Sequence, residues 1–293
     1  MSYKQIKGVV PILQTPLDTQ GRIDTESLRK VVEFNIDAGV DGLGIALGSE
    51  VPRLREEERD LVLTTVVDQT NGRIPIVMNT GGSGTDLALF YSGRAQELGA
   101  DAVMVTPPPG SDPDNVRKFF RTVESSVDVS VVIQDVDFAP VPPDLVAKIF
   151  EECEGVVSCK METAPTPPRI SNTISATNGK IDVIGGAGAN WLMEELSRGS
   201  QGTMPFCTTP VEFVAISSLY ASGKIDEATE LYYARIRPLC HIVQQMPGIA
   251  IRLHKEILKK RGLIETALVR EPMAMPDETM QREIDALLER VIV

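Results

Sequence analysis

Lys160 is the side chain with the clearest capacity for chemistry. It lies in the run Val156–Met161, whose β-branched and apolar residues predict a buried strand. Because side chains alternate between the two faces of a strand, Ser158, Lys160 and Glu162 share one face. If that face points into a cavity, removal from water favours the uncharged amine, which attacks the carbonyl carbon of a ketone. The iminium that forms is an electron sink, so a neighbouring C–C or C–O bond can break without metal or cofactor.

The same two residues also fit a plain ion pair at the mouth of the strand, with Glu162 neutralising the ammonium of Lys160. Strand position alone leaves both interpretations open. The histidines narrow the alternatives, because His241 and His254 both fall in C-terminal helical segments. A histidine-rich metal site would therefore lack its ligands near Lys160, and a Ser-His-Asp triad would lack its base there. We predict neither a metal nor a cofactor.

The elements that must position Lys160 alternate along the chain between short β-branched runs and segments of helical periodicity. This alternation predicts a parallel sheet with crossover helices. The predicted strands are Gly8–Leu13, Gly42–Leu47, Ile74–Asn79, Ala102–Thr106, Ser130–Gln134, Val156–Met161, Asp182–Gly185 and Gly202–Phe206. The predicted helices between them are Thr25–Ala38, Arg55–Gln69, Asp86–Leu98, Pro113–Ser126, Pro143–Glu152, Pro165–Thr177, Asn190–Ser197 and Pro210–Ser222. Helix starts are indicated by N-caps at Asp24, Thr85 and Asp112 and by first-turn prolines at Pro143, Pro165 and Pro210.

Eight such units favour an α/β fold of the closed (β/α)8 TIM-barrel type over an open doubly wound sheet. A dinucleotide-binding fold is less consistent with the sequence, since no GxGxxG follows the first strand. We assign residues 1–222 to the barrel and residues 223–293 to a C-terminal helical extension packed on it. The helices predicted in the extension are Lys224–Gln245, Pro247–Arg261 and Glu278–Val291.

Composition excludes several classes of partner. The 293 residues carry 41 acidic and 29 basic side chains, a net charge of −12, which disfavours binding to nucleic acid. The first eight residues lack the apolar core of a secretory signal, and no run reaches the ~18 apolar residues of a membrane span. We therefore expect a cytoplasmic protein with no membrane partner. The four cysteines are expected to be reduced core thiols: Cys153, Cys159, Cys207 and Cys240.

Active sites of (β/α)8 barrels lie at the carboxyl ends of the strands. Reading those positions gives a set of candidate side chains: Gln14, Ser49, Glu50, Asn79, Thr106, Gln134, Asp135, Lys160, Glu162, Gly186, Gly188 and Pro205. The glycine turn at 185–188 could bind a phosphate through backbone N–H groups. A tight turn that leaves room for substrate is the preferred interpretation, because no Lys or Arg adjoins it before Arg198.

Several segments together resemble the N-acetylneuraminate lyase and dihydrodipicolinate synthase family of Schiff-base barrels over essentially the whole chain. They are residues 8–18, 21–24, 38–43, 54–59, 156–162 and 185–188. The resemblance implies that Lys160 is the Schiff-base lysine and that the substrate is a small 2-oxo acid. It also implies that the loop 46–50, with Gly48, Ser49 and Glu50, holds the substrate carboxylate, and that the protein assembles as a homotetramer built from two dimers.

The departures from this family are informative as well. Gln134 replaces the usual acid/base tyrosine, and a second tyrosine is replaced within Thr106–Pro109. Because an amide does not titrate, Glu162, Asp135 and ordered water become the candidates for moving protons. An arginine expected within Asp137–Val141 is absent, which disfavours dihydrodipicolinate synthesis. The pattern resembles the branch of 2-keto-3-deoxy-sugar-acid dehydratases, notably L-2-keto-3-deoxyarabonate dehydratase.

The predicted reaction is thus dehydration through a Lys160 iminium, with Glu162 as base or relay and with Ser49 and nearby backbone N–H groups on the carboxylate. Gln134 is included with Lys160 and Glu162 in the predicted catalytic set. The predicted substrate-binding set is Gly48, Ser49, Glu50, Thr106, Asp135, Gly186 and Gly188. The alternatives are retro-aldol cleavage by a pyruvate-dependent aldolase, a condensation of the dihydrodipicolinate synthase kind, and a catalytically silent ligand-binding barrel.

Overall fold

The computed structural model describes residues 3–246 and 248–292. Eight parallel strands form a single curled sheet, with the order β1-β8-β7-β6-β5-β4-β3-β2. The strands are β1 Gly8–Val9, β2 Leu43–Ile45, β3 Ile76–Asn79, β4 Ala102–Val105, β5 Ser130–Asp135, β6 Val156–Met161, β7 Asp182–Gly185 and β8 Gly202–Thr203. Asp41, just before β2, links β1 to β2: its N–H donates to the Val9 oxygen at 2.8 Å, and its carboxylate accepts from the Val9 N–H at 2.8 Å. The (β/α)8 TIM-barrel class predicted from the sequence is confirmed.

Helices alternate with these strands along the chain, and more helices follow the last strand. They are α1 Thr25–Asp37, α2 Glu56–Thr70, α3 Thr85–Glu97, α4 Pro113–Glu124, α5 Pro143–Glu152, α6 Thr166–Ala176, α7 Leu192–Leu196, α8 Pro210–Ala221, α9 Ile225–Leu231, α10 Arg237–Gln244, α11 Ala250–Lys260 and α12 Glu278–Val291. A π-helical turn, Tyr232–Ile236, joins α9 to α10. Short 3-10 turns occur at Leu47–Ser49, Val51–Arg53 and Ala187–Ala189.

Contacts divide the chain into two compact units. The first unit, residues 3–10, 41–44 and 72–205, contains helices α3 to α7 and the sheet except Ile45 of β2. Its strands are buried on both faces, which is why they read as continuous apolar runs; all four residues of β4 are inaccessible to solvent. The second unit, residues 11–40, 45–71, 206–246 and 248–292, contains α1, α2 and α8 to α12. Within it, α10, α11 and α12 share a core that includes Leu239, Leu253, Ile257, Ile284 and Leu288.

Most predicted element boundaries agree with the structure to within two residues, and the larger deviations at the ends of β1 and β8 have a physical reason. The predictions extend β1 and β8 to Leu13 and Phe206, but Pro11 and Pro205 lack the N–H that a continued ladder requires, so both strands stop early. The prediction for β2, Gly42–Leu47, is also too long, because the chain turns into a 3-10 helix at Leu47.

The helix caps give a mixed result. Asp24 and Asp112 are N-caps as predicted, accepting hydrogen bonds from Ser27 N and from the backbone N–H groups of residues 114 and 115 at 3.0 Å. The prediction for Thr85 is wrong, since Thr85 is the first residue of α3 and Gly84 precedes it. Pro143 and Pro210 begin α5 and α8 as predicted, whereas α6 begins one residue after Pro165.

In the C-terminal segment the prediction of one helix over Lys224–Gln245 is wrong in detail, because α9, the π-helical turn and α10 divide it. The predicted start of the next helix, Pro247, lies outside the described residues, and α11 begins at Ala250. The bounds of α12 match the prediction. Among residues 3–246 and 248–292, no helix combines the length and apolar character needed to span a bilayer. All four cysteines are free and buried, as expected.

Candidate active site

Strand β6 carries Lys160 near its carboxyl end, with Glu162 just beyond it. The Lys160 Nζ lies 3.0 Å from Glu162 Oε1, and only 3% of Lys160 is exposed to solvent. In the sheet register, Lys160 stands opposite Gln134 of β5 and Ile184 of β7. Residues in register on neighbouring strands share a face, so the amine lies on the same face as Gln134.

That face is the concave one. Asn79 at the end of β3 and Gln134 near the end of β5 belong to strands separated by β4, yet Asn79 Nδ2 lies 2.8 Å from Gln134 Oε1. Side chains of strands two apart meet directly only on the inner side of a curled sheet. Lys160 therefore faces the interior of the barrel, which is the orientation that Schiff-base chemistry requires.

Gln134 lies at the centre of a hydrogen-bond network. Its Oε1 accepts from Asn79 Nδ2 and, at 2.9 Å, from the hydroxyl of Thr106, which follows β4. Its Nε2 donates to Glu162 Oε2 at 2.8 Å. The amide thus uses its acceptor on two donors and points a donor at the carboxylate. Gln134, Thr106, Lys160 and Glu162, predicted from the sequence, are brought together in one cluster.

Glu162 is surrounded by donors. Its Oε1 accepts from the backbone N–H of Ala187 at 3.2 Å besides contacting Lys160, while Oε2 accepts from Gln134. An ionised carboxylate offers acceptors only, so three donors match that form.

The turn after β7 shapes the space around this carboxylate. A Cβ on Gly186 would lie 2.4 Å from Glu162 Cγ, so the glutamate side chain occupies the space that a larger residue at 186 would fill. The next three residues, Ala187 to Ala189, all have positive φ angles, of 48°, 64° and 64°. Alanine adopts this left-handed conformation only with strain, which is often found at functional sites. The predicted residues Gly186 and Gly188 both belong to this turn.

Asp135 does not join the cluster. It follows Gln134 directly in β5, and consecutive residues point to opposite faces. Its Oδ1 accepts from Val141 N at 2.7 Å and from Arg169, and the hydroxyl of Thr163 donates to the same oxygen at 2.8 Å. The carboxylate is fully buried against Arg169, which fits an anchor for the loops after β5 and β6. The substrate contact and proton relay predicted for Asp135 have no support in this placement.

Gly48 and Ser49 belong to the second unit, where each has partners. The Ser49 hydroxyl donates to the Leu13 carbonyl oxygen and accepts from Ala46 N at 3.0 Å. The Gly48 oxygen accepts from Gln14 Nε2 at 3.0 Å. Ser49 must therefore release Leu13 before its hydroxyl can donate to a carboxylate, and the binding role predicted for this loop stays a prediction.

Glu50, in the same unit, forms a buried ion pair. It is inaccessible to solvent, has a left-handed φ of 63°, and contacts Lys255 Nζ through Oε2. Its Oε1 accepts from Arg270 N at 2.6 Å, and Lys255 also donates to the Leu268 oxygen at 2.7 Å. Burial lowers the pKa of Lys255, and the adjacent Glu50 carboxylate opposes that shift. With both oxygens of Glu50 engaged, its geometry is that of a structural anchor, and its predicted substrate contact also stays a prediction.

The sequence matches known proteins over most of its length. Residues 5–291 match the profile of the Dihydrodipicolinate synthetase family. The chain belongs to this family. A 4-hydroxy-tetrahydrodipicolinate synthase of Methanococcus vannielii is 30% identical, over 81% of this chain and 83% of that protein. An L-2-keto-3-deoxyarabonate dehydratase of Azospirillum brasilense is 27% identical, over 97% of this chain and 94% of that protein.

Solved structures share the fold of this Dihydrodipicolinate synthetase family member. A dihydrodipicolinate synthase from Rhodopseudomonas palustris superposes with a TM-score of 0.91 at 24% identity, covering 99% of this chain and 100% of that one. The enzyme from Aquifex aeolicus gives 0.89 at 24% identity, with 97% of both chains covered. The family resemblance and the barrel expected from the sequence are thereby confirmed.

Sequence reasoning missed three residues that the structure makes prominent: Arg169, Glu195 and Lys255. Arg169 and Lys255 pair with buried carboxylates from distant parts of the chain, and no spacing rule predicts such pairs. Glu195 follows another glutamate in α7, a pattern typical of a solvated face, yet it is buried, and its Oε1 accepts from the Thr166 hydroxyl. Burial, helped by the charges of Glu194 and Glu162, raises the pKa of Glu195 to about 7.

Proposed function

We propose that this family member is a lyase that forms a Schiff base between Lys160 and a small 2-oxo acid. We further propose that the reaction is dehydration of a 2-keto-3-deoxy sugar acid. One observation carries the proposal: a buried amine faces the barrel interior with a carboxylate 3.0 Å away. A nucleophilic amine next to a base is the arrangement that covalent catalysis at a ketone requires.

The first step makes the amine nucleophilic. Glu162 Oε1 is close enough to accept a proton from the Lys160 ammonium, and Nζ then attacks C2 of the substrate. Loss of the C2 oxygen as water leaves an iminium, whose positive charge withdraws electrons from C3. This step needs no partner beyond the two side chains.

The second step removes the C3 proton. Glu162, which has returned its proton to the departing C2 oxygen, takes the proton from C3, and the C–H electrons form an enamine. The enamine expels the hydroxyl at C4, and the proton held by Glu162 leaves with it as water. Hydrolysis of the conjugated iminium restores the Lys160 amine, so the net change is the loss of one water molecule from the substrate.

The residues around the amine support dehydration over condensation. Gln134 contacts Glu162, and Asn79 and Thr106 contact Gln134; none of these three side chains titrates near neutral pH. One carboxylate that accepts the C3 proton and returns it to a leaving hydroxyl is sufficient for a dehydration. The Azospirillum relative, which matches 97% of this chain, is named as a dehydratase, whereas the Methanococcus relative is named as a synthase.

The test is covalent capture. Incubation with 2-keto-3-deoxy sugar acids and borohydride should add the reduced substrate to Lys160, located by peptide mass spectrometry. Lys160→Ala should give no adduct and no turnover, while Lys148→Ala, at an exposed position in α5, should behave as wild type. Normal turnover by Lys160→Ala, or an adduct mapped elsewhere, contradicts the proposal.

A retro-aldol reaction would start from the same iminium, so products must separate the two activities. A coupled lactate dehydrogenase assay detects the pyruvate that an aldolase releases and a dehydratase does not. A condensation would instead consume pyruvate, and a silent ligand-binding barrel would turn over nothing. The homotetramer implied by the family resemblance is a separate prediction, which light scattering of the purified protein tests.

A further inference from the structure

Asn79 begins a chain of hydrogen bonds that ends at the reactive amine. Asn79 Nδ2 donates to Gln134 Oε1 at 2.8 Å, and Gln134 Nε2 donates to Glu162 Oε2 at 2.8 Å. The other oxygen of Glu162 contacts Lys160 at 3.0 Å. Asn79 is only 3% exposed, so its amide is held within the barrel interior.

This series of hydrogen bonds has a direction, because one end of an amide accepts and the other donates. An amide oxygen only accepts and an amide nitrogen only donates, so Gln134 must present one end to Asn79 and the other to Glu162. The Thr106 hydroxyl can donate or accept, and it therefore fits either orientation of Gln134. Asn79 donates its N–H to Gln134 Oε1, and this hydrogen bond favours the orientation in which the Gln134 N–H faces the carboxylate.

The reverse orientation would place Gln134 Oε1 against Glu162 Oε2 at hydrogen-bond distance. Two acceptors at that distance repel unless the carboxyl holds a proton, and a protonated Glu162 cannot serve as a base. The orientation of one neutral amide is thus coupled to the charge state of the carboxylate next to Lys160.

We propose that Asn79 is a positioning residue that fixes the orientation of Gln134 and so keeps Glu162 in its ionised, proton-accepting form. The base role of Glu162 in this inference rests on the proposed function. The hydrogen-bond coupling itself depends only on the contacts among Asn79, Gln134 and Glu162.

The decisive variant is Asn79→Asp, which is nearly isosteric and replaces the donor with an acceptor. Gln134 should then turn its N–H group towards position 79 and its oxygen towards Glu162. Loss of a hydrogen bond to a charged group, with repulsion in its place, corresponds to about one to two pH units. The acid limb of the kcat/KM profile should move to higher pH by that amount.

Asn79→Ser is the graded comparison, since a hydroxyl donates or accepts and imposes no orientation. It should move the acid limb by less than Asn79→Asp does. Asn178→Asp adds the same charge at an exposed site of the first unit and should leave the acid limb in place. If Asn79→Asp and Asn79→Ser both fold, lose turnover and keep the wild-type acid limb, Asn79 acts through packing alone and the inference is wrong.

Infrared titration separates this inference from the proposed function. The carboxyl band of Glu162 is obtained by subtracting the spectrum of a Glu162→Gln variant, made in both the wild-type and the Asn79→Asp backgrounds. The band should appear at higher pH in Asn79→Asp even if no substrate adduct forms on Lys160. An unchanged band overturns the inference whether or not borohydride trapping succeeds.

Discussion

A single methyl group at Gly186 should displace the carboxylate that the proposed mechanism depends on. In Gly186→Ala, the added Cβ would lie 2.4 Å from Glu162 Cγ and 2.9 Å from its carboxyl carbon. Carbon atoms pack at about 3.5–4.0 Å, so the Glu162 side chain must retreat by roughly 1 Å. That shift stretches the 3.0 Å contact with Lys160 and the 2.8 Å hydrogen bond from Gln134 beyond good geometry.

The expected loss follows from this displacement. A misplacement of about 1 Å in a catalytic group costs on the order of 100-fold in rate, which corresponds to a barrier roughly 2.7 kcal/mol higher. Overpacking should lower the free energy of unfolding by about 1–3 kcal/mol, which leaves most of the protein folded. Steady-state turnover, borohydride trapping on Lys160 and urea denaturation measure the three quantities separately.

Gly93→Ala is the matched control, because nothing lies within 4 Å of the Cβ position at this residue of α3. It should keep full turnover and gain up to about 1 kcal/mol in stability, since alanine favours a helix over glycine. If Gly186→Ala folds and turns over at the wild-type rate, the position of Glu162 does not matter to catalysis. That result would contradict the role proposed for Glu162.

Three further predictions concern stability. Glu50→Gln leaves Lys255 as a buried charge without its carboxylate, so the free energy of unfolding measured in urea should fall by about 3–5 kcal/mol. The double variant with Glu50→Gln and Lys255→Met should recover part of that loss. For Glu195, burial raises the pKa from 4.5 to about 7, so the folded state keeps the proton over that range. The free energy of unfolding should therefore fall by up to roughly 3 kcal/mol as the pH rises through that range. Comparing the pH dependence of unfolding in wild type and in Glu195→Gln isolates this effect, and the same dependence in both proteins would contradict it. For His254, burial lowers the pKa from 6.5 to about 3, so the folded state disfavours the protonated ring over that range. The free energy of unfolding should therefore fall by up to roughly 5 kcal/mol as the pH falls through that range. His254→Asn should remove this pH dependence, and an unchanged pH dependence of unfolding in the variant would contradict the prediction.

Much of the fold could be read from local patterns. The bounds of β6 and α12 match the sequence prediction because strong apolar periodicity and flanking turn signals act over neighbouring residues. The Lys-x-Glu spacing placed Lys160 and Glu162 on one face, and the structure finds them in contact. These features depend on the geometry of a single strand, which the sequence specifies directly.

The same alternation rule separates Gln134 from Asp135. Gln134 and Asp135 are consecutive in β5, so they cannot both face the barrel interior, and the structure places Asp135 against Arg169 on the other side. The sequence places Asn79 at the end of a strand, but none of the residues next to it in the sequence indicates a contact with Gln134. Its role depends on the curl of the sheet, which brings β3 and β5 together over β4.

The chemistry-bearing lysine and its carboxylate were therefore determined by the sequence, because side-chain alternation along one strand is a local property. The orientation of Gln134, the donors around Glu162 and the partners of Glu50 and Asp135 were decided only by tertiary structure. Each includes at least one contact between residues that lie about 25 to 220 positions apart in the chain. Such contacts follow from the closure of the sheet and the packing of helices, and no spacing rule along the chain specifies them.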